Sequence, residues 1–426
     1  MINSDLYTLA DFNKTDGNVF KREITDFLHF VEDYKNKQYD YYERPLLSSC
    51  RNRVTIYDRY TGKQRKMIMM ASNNYLGLNS HHKVLEAGFL AAQKYGFGSG
   101  SVPLFSGTYD LHKELEYRIA RLKECEDAVI FSSGYSANIG CLTALARKND
   151  ILINDRLNHA SLIDGSRFSG AALKVFRHND PDHLEKILKS CQDFAARLII
   201  VDGVYSMDGD IAELPSIKHL ANKYNARIMI DEAHATGVIG ATGKGTPEHH
   251  NLQGEIDIVA GTLSKALVGV GGFVASTKEI INYIRFYARS NMFSTSLPPA
   301  VVAAVITAID VLETEPIHNK KLKENIQYMT SNLRKIGVNI GKTESAIIPI
   351  IVGDELKLRE LSKTLHECGI YVNSVPYPAV PKKVSRIRLS VMSTHTKEDL
   401  DKTLEVLDLC AKKYDIGYKD YENEHC

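Results

Sequence analysis

The chain has 426 residues, of which 44% are hydrophobic and 25% are charged, and its formal net charge is +1. This composition is that of a globular protein with a large core, and the length predicts two domains. Because the basic residues are spread along the sequence, neither a nucleic acid nor a membrane surface is favoured as a partner, and small-molecule chemistry is expected.

The seven cysteines are scattered and form no C-x-x-C pair. They therefore predict neither a disulfide framework nor a metal site. The sequence has no basic-then-apolar signal segment and no run of 18 apolar residues, so no transmembrane segment is predicted. We expect a cytoplasmic protein, which a lipid substrate or product could bring to the inner membrane.

The first elements of the chain lead up to a glycine-rich loop. Residues 20–35 carry apolar side chains at helical spacing, which predicts an N-terminal arm over residues 1–60 with one amphipathic helix. A strand is predicted at residues 66–71. The loop at residues 95–101 lacks the third glycine of G-x-G-x-x-G, which argues against a dinucleotide site. A helix is predicted at residues 110–122.

A second loop has the features of a phosphate site. A short apolar strand at residues 128–131 runs into Ser132-Ser133-Gly134-Tyr135 and then into an apolar helix. At such a turn, free backbone N–H groups and the positive end of the helix lie together, which suits a dianionic phosphate. A simple connection between a strand and a helix explains the same residues equally well.

Strands then alternate with helices, which predicts a mainly parallel sheet covered on both faces. The predicted strands lie at residues 151–153, 198–201, 227–230, 256–260 and 272–275. Ligands of such sheets bind beyond the carboxyl ends of the strands. The large domain is assigned to residues 61–297.

The last part of the chain predicts a smaller α+β domain, assigned to residues 298–426. A long helix is predicted at residues 300–312, and strands are predicted near residues 347–352 and 386–391.

An acid and a lysine stand at the ends of this strand pattern. The run at residues 227–230 ends in Asp231-Glu232-Ala233-His234, and Lys265 is flanked by small, hydroxyl and apolar residues ahead of a glycine-rich run. A lysine can form a Schiff base with pyridoxal phosphate (PLP), and an acid can keep its pyridinium nitrogen protonated. The pair predicts a PLP site.

With these residues in view, the chain resembles the α-oxoamine synthases, which are PLP enzymes of the aspartate aminotransferase fold type (fold type I). The likeness covers roughly residues 60–412. The motifs that match, in order, are Asn158-His159-Ala160-Ser161 with Asp164-Gly165, residues 202–209, residues 231–237 and Thr262-Leu263-Ser264-Lys265. The resemblance implies an α/β fold, in which a large domain with a mainly parallel seven-stranded sheet precedes a smaller α+β C-terminal domain.

Within the family, the chain looks most like the bacterial serine palmitoyltransferases. Residues 343–345, 369–373, 378–381 and 386–390 carry this closer resemblance. Two loops depart from the family pattern. Val102-Pro103-Leu104 and Pro376-Tyr377-Pro378 stand where many members have an arginine and Arg-Pro-Pro. Both loops line substrate in the family, so the specificity for the amino acid and the acyl group stays open.

The resemblance implies a decarboxylative condensation of an amino acid with an acyl thioester on a homodimer with a shared active site. L-Serine and palmitoyl-CoA are the preferred substrates, giving a 3-ketosphinganine-type aminoketone, CoA and CO2. The alternative is glycine or alanine with a shorter acyl donor, as in 2-amino-3-ketobutyrate ligase or 8-amino-7-oxononanoate synthase. An acyl-carrier-protein thioester, an aminotransferase or C–S lyase activity and a non-catalytic partner subunit are further alternatives.

The resemblance also assigns roles to single residues. Lys265 would hold PLP and remove the α-proton, Asp231 would hold the pyridinium proton, and His159 would stack on the ring. His234 would bind the ring O3′, with Ser206 nearby, while Glu232 would be structural. The phosphate would be held by Gly134, Tyr135, Thr262 and Ser264, with Ser294 or Thr295 of the neighbouring subunit. Arg388, with Arg386 as a second candidate, and Asn74 and His112 complete the predicted substrate contacts.

Overall fold

The computed structural model describes residues 2–12 and 24–417 and contains a seven-stranded sheet. The strands are β1 (Arg53–Asp58), β2 (Lys63–Met69), β3 (Asp127–Phe131), β4 (Ile151–Asp155), β5 (Ala172–Phe176), β6 (Arg197–Asp202), β7 (Arg227–Asp231), β8 (Ile258–Thr262), β9 (Gly272–Ser276), β10 (Ile347–Ile351), β11 (Ile370–Tyr371), β12 (Asn373–Val375) and β13 (Arg386–Ser390). The helices are α1 (Ile24–Asn36), α2 (His82–Tyr95), α3 (Asp110–Leu122), α4 (Gly134–Leu145), α5 (Ala160–Phe168), α6 (Pro181–Lys189), α7 (Leu214–Lys223), α8 (Thr246–His249), α9 (Lys278–Tyr287), α10 (Arg289–Met292), α11 (Pro299–Thr314), α12 (Ile317–Ile336), α13 (Glu355–Glu367) and α14 (Lys397–Tyr414).

The chain divides into two units, and the larger one comprises residues 73–323. Its sheet has the strand order β3-β9-β8-β7-β6-β4-β5. All neighbouring strands are parallel except β9, which is antiparallel to both β3 and β8. The predicted α/β fold, with a mainly parallel seven-stranded sheet, is confirmed.

The core of this unit forms where helices cover the sheet. Leu142 of α4, Met229 of β7 and Val274 of β9 belong to one cluster of buried apolar side chains. Because both faces of the central strands are covered, these strands are apolar almost throughout. The fully buried β8 shows this most clearly.

The smaller unit comprises residues 1–72 and 324–426. It has two three-stranded sheets, ordered β1-β2-β11 and β10-β13-β12, so its architecture is the predicted α+β type. The described part of the predicted amphipathic helix is α1, whereas its first residues, from Phe20, lie outside the described residues.

The two units do not follow the predicted boundaries at residues 60 and 297. Strand β2 was predicted in the large domain and helix α11 in the small one, and the structure has them the other way round. Strand β2 pairs with β1 and β11, which keeps residues up to 72 with the smaller unit. Helix α11 packs against α2 and α3 in the larger unit. Among the described helices, each is too short or too polar to span a bilayer.

Candidate active site

Acidic residues end three neighbouring strands of the large sheet. Asp155 ends β4, Asp202 ends β6 and Asp231 ends β7. Asp202 and Asp231 lie opposite each other in the parallel register, and both are buried. Burial raises the pKa of Asp202 well above its ordinary value, and the neighbouring charge of Asp231 adds to this. Burial therefore favours the protonated, neutral form of Asp202.

The Asp231 carboxylate is fixed by donors to both of its oxygens. Nδ2 of Asn138, in α4, donates to Oδ2 over 2.6 Å, and the Ala233 backbone N–H donates to Oδ1 over 2.8 Å. The two hydrogen bonds therefore fix the orientation of this carboxylate at the end of β7.

His159 is held in front of the sheet edge at the start of α5. Its backbone N–H donates to Oδ2 of Asp202 over 3.0 Å, and its Nδ1 lies 2.7 Å from Oγ of Ser161. Burial lowers the pKa of His159, and the charge of Lys265 contributes in the same direction. The imidazole is therefore biased toward its neutral form, which can stack on an aromatic ring.

Lys265 lies in the turn that joins β8 to β9. Its carbonyl accepts a hydrogen bond from the Val268 N–H over 3.1 Å, and the Leu263 N–H closes the base of the turn on the Gly271 carbonyl over 2.9 Å. The side chain is half-buried, whereas Leu263 and Ala266 are buried. Its charge influences the pKa values of His159 and Asp202, which places all three groups in one electrostatic site.

A compact cradle lies where β3 passes into α4. Ser133 is the N-cap of α4, and the first N–H groups of a helix lack partners within it. Oγ1 of Thr262 lies 2.8 Å from Oγ of Ser264, which brings two hydroxyls together. A Cβ on Gly134 would lie 3.0 Å from Cβ of Thr262, so the cradle backbone closely approaches the end of β8. This combination of N–H groups and hydroxyls fits a phosphate.

Three further predicted residues, His234, Asn74 and Ser206, belong to the larger unit. His234 is buried, and its Nδ1 lies 2.7 Å from the hydroxyl of Tyr75. Asn74 is also buried, and its Nδ2 donates to Oδ1 of Asn79 over 2.8 Å. Ser206 is half-buried in the loop that follows β6. The predicted contacts of His234 and Ser206 with the ring O3′, and of Asn74 with the substrate, stay predictions.

Tyr135, Ser294 and Thr295 were predicted to bind phosphate. The side chain of Tyr135 is exposed, and its hydroxyl donates to the carboxylate of Asp164, so the predicted contact through its backbone N–H does not involve the phenol. Ser294 and Thr295 line a cavity together with His112. Their predicted contribution to a neighbouring subunit stays a prediction.

His112 has both ring nitrogens engaged by backbone groups. Its Nδ1 accepts from the Tyr109 N–H over 3.0 Å, and its Nε2 lies 2.9 Å from the Leu297 carbonyl oxygen. It is buried. These contacts give it a packing role, in which it ties the start of α3 to the segment before α11.

The two predicted arginines belong to the smaller unit. Arg386 and Arg388 both lie on β13 and are buried, two residues apart on one strand. Arg388 pairs with Asn373 of β12 and with Pro349 of β10. Because β13 is a regular strand, residues two apart lie on the same face, as was predicted for Arg386 and Arg388.

Glu232 was predicted to be structural, and its contacts agree with that role. It is fully buried, and Oε2 lies 3.3 Å from Nζ of Lys123, which is also buried. The Thr246 backbone N–H donates to both carboxylate oxygens. Burial raises the pKa of Glu232 and lowers the pKa of Lys123.

Several contacts of the site had no assigned role in the sequence analysis. They are those of Tyr75, Lys123, Asn138, Ser161 and Asp202. Ser161 and Asp202 lie inside the family motifs at residues 158–161 and 202–209, and these motifs were the signal that could have identified them. Asn138 lies in a helix that also contains Ser136 and Thr143, so its polar side chain alone did not single it out in the sequence.

The groups at this edge fit PLP. A carboxylate fixed by two donors, a neutral-biased imidazole, a half-buried lysine and a phosphate cradle lie at the carboxyl ends of β3, β4, β7 and β8 or in the adjoining loops. PLP offers a pyridinium nitrogen, an aromatic face, an aldehyde and a phosphate, one for each.

Comparisons with known proteins agree with this site. The family described as aminotransferase class I and II matches residues 65–407. The 8-amino-7-oxononanoate synthase 1 of Bacillus velezensis is 46% identical over 83% of this chain and 90% of its own length. The 4-hydroxy-2,2'-bipyrrole-5-methanol synthase PigH of a Serratia species is 38% identical over 97% of this chain but only 63% of its own length.

A solved structure extends the comparison to three dimensions. The serine palmitoyltransferase of Sphingomonas wittichii is similar with a TM-score of 0.88 at 31% identity, over 94% of this chain and 100% of that chain. The range matched by the family contains Lys265 and the three strand-end aspartates Asp155, Asp202 and Asp231.

Proposed function

Since this chain belongs to the aminotransferase class I and II family and to the α-oxoamine synthases within it, we propose that it condenses L-alanine with a dicarboxylic acyl thioester. The cofactor of these enzymes is PLP, and the reaction type is an acyl transfer to an amino acid. The observation that carries the choice of substrates is the 46% identity to an 8-amino-7-oxononanoate synthase, against 31% to a serine palmitoyltransferase.

The product named by that relative identifies its building blocks. In 8-amino-7-oxononanoate, the carbon that bears the amine carries a methyl group, as alanine does once its carboxylate has left. The remaining carbons form a seven-carbon acyl group with a free carboxylate at its far end. The new bond joins the α-carbon of alanine to the thioester carbonyl, and CO2 and a thiol leave.

The residues at the sheet edge divide this chemistry among them. PLP, when bound, supplies an aldehyde for the amino group and a ring that accepts the electron pair left on the α-carbon. Asp231, held in position by Asn138, keeps the ring nitrogen protonated. Lys265 holds the cofactor between turnovers and takes the proton from the α-carbon. His159 covers the ring and orients the amino acid.

The other predicted contacts fix position. The N–H groups of Gly134 and Tyr135 and the hydroxyls of Thr262 and Ser264 bind the phosphate. His234, held by Tyr75, binds the ring O3′, and Ser206 supports it. On the strength of the family resemblance, Ser294 or Thr295 of a second subunit completes the cradle in a homodimer. Arg388 binds the amino-acid carboxylate, and Asn74 is a further substrate contact.

A second candidate function is the condensation of L-serine with a long-chain acyl-CoA. It is favoured by coverage, because the serine palmitoyltransferase structure aligns with 94% of this chain and the 8-amino-7-oxononanoate synthase with 83%. The two candidates share the site and differ only in substrate contacts.

A substrate matrix tests the proposal. The PLP-saturated protein is incubated with alanine, serine or glycine, each with heptanedioyl-CoA or palmitoyl-CoA, while thiol release and product mass are measured. We expect alanine with heptanedioyl-CoA to have a kcat/KM at least about tenfold above every other pair. Preference for serine and palmitoyl-CoA would overturn the proposal and support the second candidate.

The matched control is Lys265→Ala, which retains the cradle but lacks the amine. We expect it to release thiol at least about a hundredfold more slowly with every pair. Thiol release at the parent rate would show that the reaction does not use this lysine, and both candidates would fail.

A further inference from the structure

Three side chains that the proposed function does not use meet at one point of the larger unit. His81 is the N-cap residue of α2, Glu315 follows the end of α11, and His318 lies in the first turn of α12. One ligand atom of each residue lies within 4.8 Å of those of the other two. Two imidazoles and a carboxylate are a donor set that zinc enzymes use, with water in the fourth position.

The distances match a coordination polyhedron better than a hydrogen-bond network. Nε2 of His81 and Nε2 of His318 each lie 3.5 Å from the same atom, Oε2 of Glu315. A good N–H···O hydrogen bond spans about 2.7–3.2 Å. In a tetrahedral zinc site with bonds of about 2.0–2.1 Å, two ligand atoms are about 3.3–3.4 Å apart. Each of the two N···O distances is therefore close to the length of an edge of such a tetrahedron.

The carboxylate and one of the two imidazoles are biased toward the protonation states that bind metal. The hydrogen bond from Lys83 to Oε1 lowers the pKa of Glu315 to about 2, so its carboxylate is ionised. Burial lowers the pKa of His81, and the charge of Glu315 offsets part of this effect. A neutral imidazole has the lone pair that a metal needs.

The position is sheltered but accessible to an ion. The exposed fractions of the three side chains are 12% for His81, 27% for Glu315 and 23% for His318. Lys83 occupies only Oε1 of the carboxylate, which leaves Oε2 directed at the two rings. Such a contact to the second oxygen is typical of the outer shell that orients a metal ligand.

We propose that His81, Glu315 and His318 bind one divalent transition-metal ion, with Zn²⁺ as the cation this N2O donor set favours and water completing the tetrahedron. The ion joins the start of α2 to the α11–α12 junction, which is more than 200 residues away in sequence. Because the three ligands are assembled only in the folded chain, binding of the ion raises the stability of that chain.

Metal titration of the holoenzyme tests this site. After treatment with a chelator and exchange into metal-free buffer, PLP-loaded protein is titrated with Co²⁺, whose d–d bands in a tetrahedral site lie at longer wavelengths than PLP absorption. We expect one Co²⁺ per chain, displaced by Zn²⁺, and a higher Tm with Zn²⁺ than without it.

Variants separate this site from adventitious binding. His81→Ala and His318→Ala should each weaken Co²⁺ binding by at least tenfold, with the tetrahedral bands lost. His82→Ala is the matched control, because His82 stacks on His81 but is not one of the three proposed ligands; its affinity should stay within twofold of the parent. Absence of tetrahedral bands, or equal affinity in the parent and both ligand variants, would overturn the proposal.

Discussion

Asn138 and Asp231 form a hydrogen bond of 2.6 Å between a helix and a strand end, and it connects most of the site. The same Nδ2 of Asn138 donates to Oγ of Ser161 over 2.9 Å, and that hydroxyl lies 2.7 Å from Nδ1 of His159. The proposed contacts to the ring nitrogen and to the ring face are therefore joined through one amide. A change at Asn138 should disturb both.

We predict that Asn138→Leu lowers kcat by roughly 10- to 100-fold, because a hydrogen bond to a charged group contributes about 1.5–3 kcal/mol. The PLP dissociation constant should rise as well. Steady-state kinetics and PLP titration measure the two effects. Asn222→Leu, at an exposed position of α7, is the control and should leave both unchanged. A folded Asn138→Leu protein with parental kcat would contradict the positioning role.

His178 gives a prediction about pH. Its imidazole bridges Asp155 and Asp210, with Nδ1 3.0 Å from one carboxylate and Nε2 2.6 Å from the other. Burial alone would lower the pKa of His178, but the two carboxylates raise it to about 10. In the unfolded chain a histidine titrates near about 6.5, so the folded protein retains a proton that the unfolded chain releases.

The stabilising contribution of His178 is therefore complete below about pH 6.5 and is lost as the pH rises through about 10, at about 1.4 kcal/mol per pH unit. His178→Gln removes it. The difference in free energy of unfolding between parent and variant should be largest at the acidic end of this range and shrink toward its alkaline end. Denaturant unfolding across the range measures it. His219→Gln, at an exposed site, is the control, and a pH-independent difference for His178→Gln would contradict this account.

The sequence predicted most of the strands but missed β1, β5, β11 and β12. In β5 the first four residues are partly exposed, because it is an edge strand, and its apolar pattern is correspondingly weak. In β1 the buried Val54 and Ile56 alternate with more exposed residues. This alternation is typical of a strand, but it is short and lies within a polar segment. Helix α3 was predicted with the observed ends, since its apolar face follows a clear helical period.

The site, like the fold, has parts that the sequence predicted and parts that it did not. Asp231 and Lys265 could be predicted, because strand ends and motifs are local in sequence. The bond from Asn138 could not be predicted, because it crosses 93 residues and depends on how α4 is oriented over β7. The same holds for the contact between Tyr75 and His234, which are 159 residues apart. Local patterns predict the elements, whereas packing decides which side chains meet.

The close approach of β9 to the phosphate cradle predicts the effect of a single methyl group. A Cβ on Gly272 would lie 2.5 Å from the Ser133 carbonyl oxygen and 2.6 Å from the Gly134 backbone nitrogen. Both are backbone atoms, so the cradle itself must move. We expect Gly272→Ala to weaken PLP binding at least about tenfold, equivalent to about 1.4 kcal/mol. PLP titration by absorbance measures the change.

Gly98→Ala is the matched control, because a Cβ there would have no atom within 4 Å. It should bind PLP as the parent does. If Gly272→Ala also bound PLP with parental affinity while remaining folded, the turn between β3 and α4 would not be the phosphate cradle.

The ion pair between Lys123 and Glu232 allows a test of what holds the loop that carries His234 in place. Their side chains are buried with exposed fractions of 2% and 0%, and Nζ of Lys123 also donates to the Lys244 carbonyl over 2.6 Å. Removing one partner of a buried ion pair costs about 3–5 kcal/mol, because the other charge stays buried without its counterion. Lys123→Met should therefore destabilise the fold by about that amount.

The double variant Lys123→Met/Glu232→Gln discriminates the cause. Because Glu232→Gln removes the stranded charge and retains an acceptor for the Thr246 N–H, the double variant should recover part of the loss, roughly 1–3 kcal/mol. Denaturant unfolding of the holoenzymes gives the four free energies of this cycle. Additive losses would show that the pair contributes through packing alone. A recovery would show that the loop from Glu232 to Thr246 is held by an ion pair.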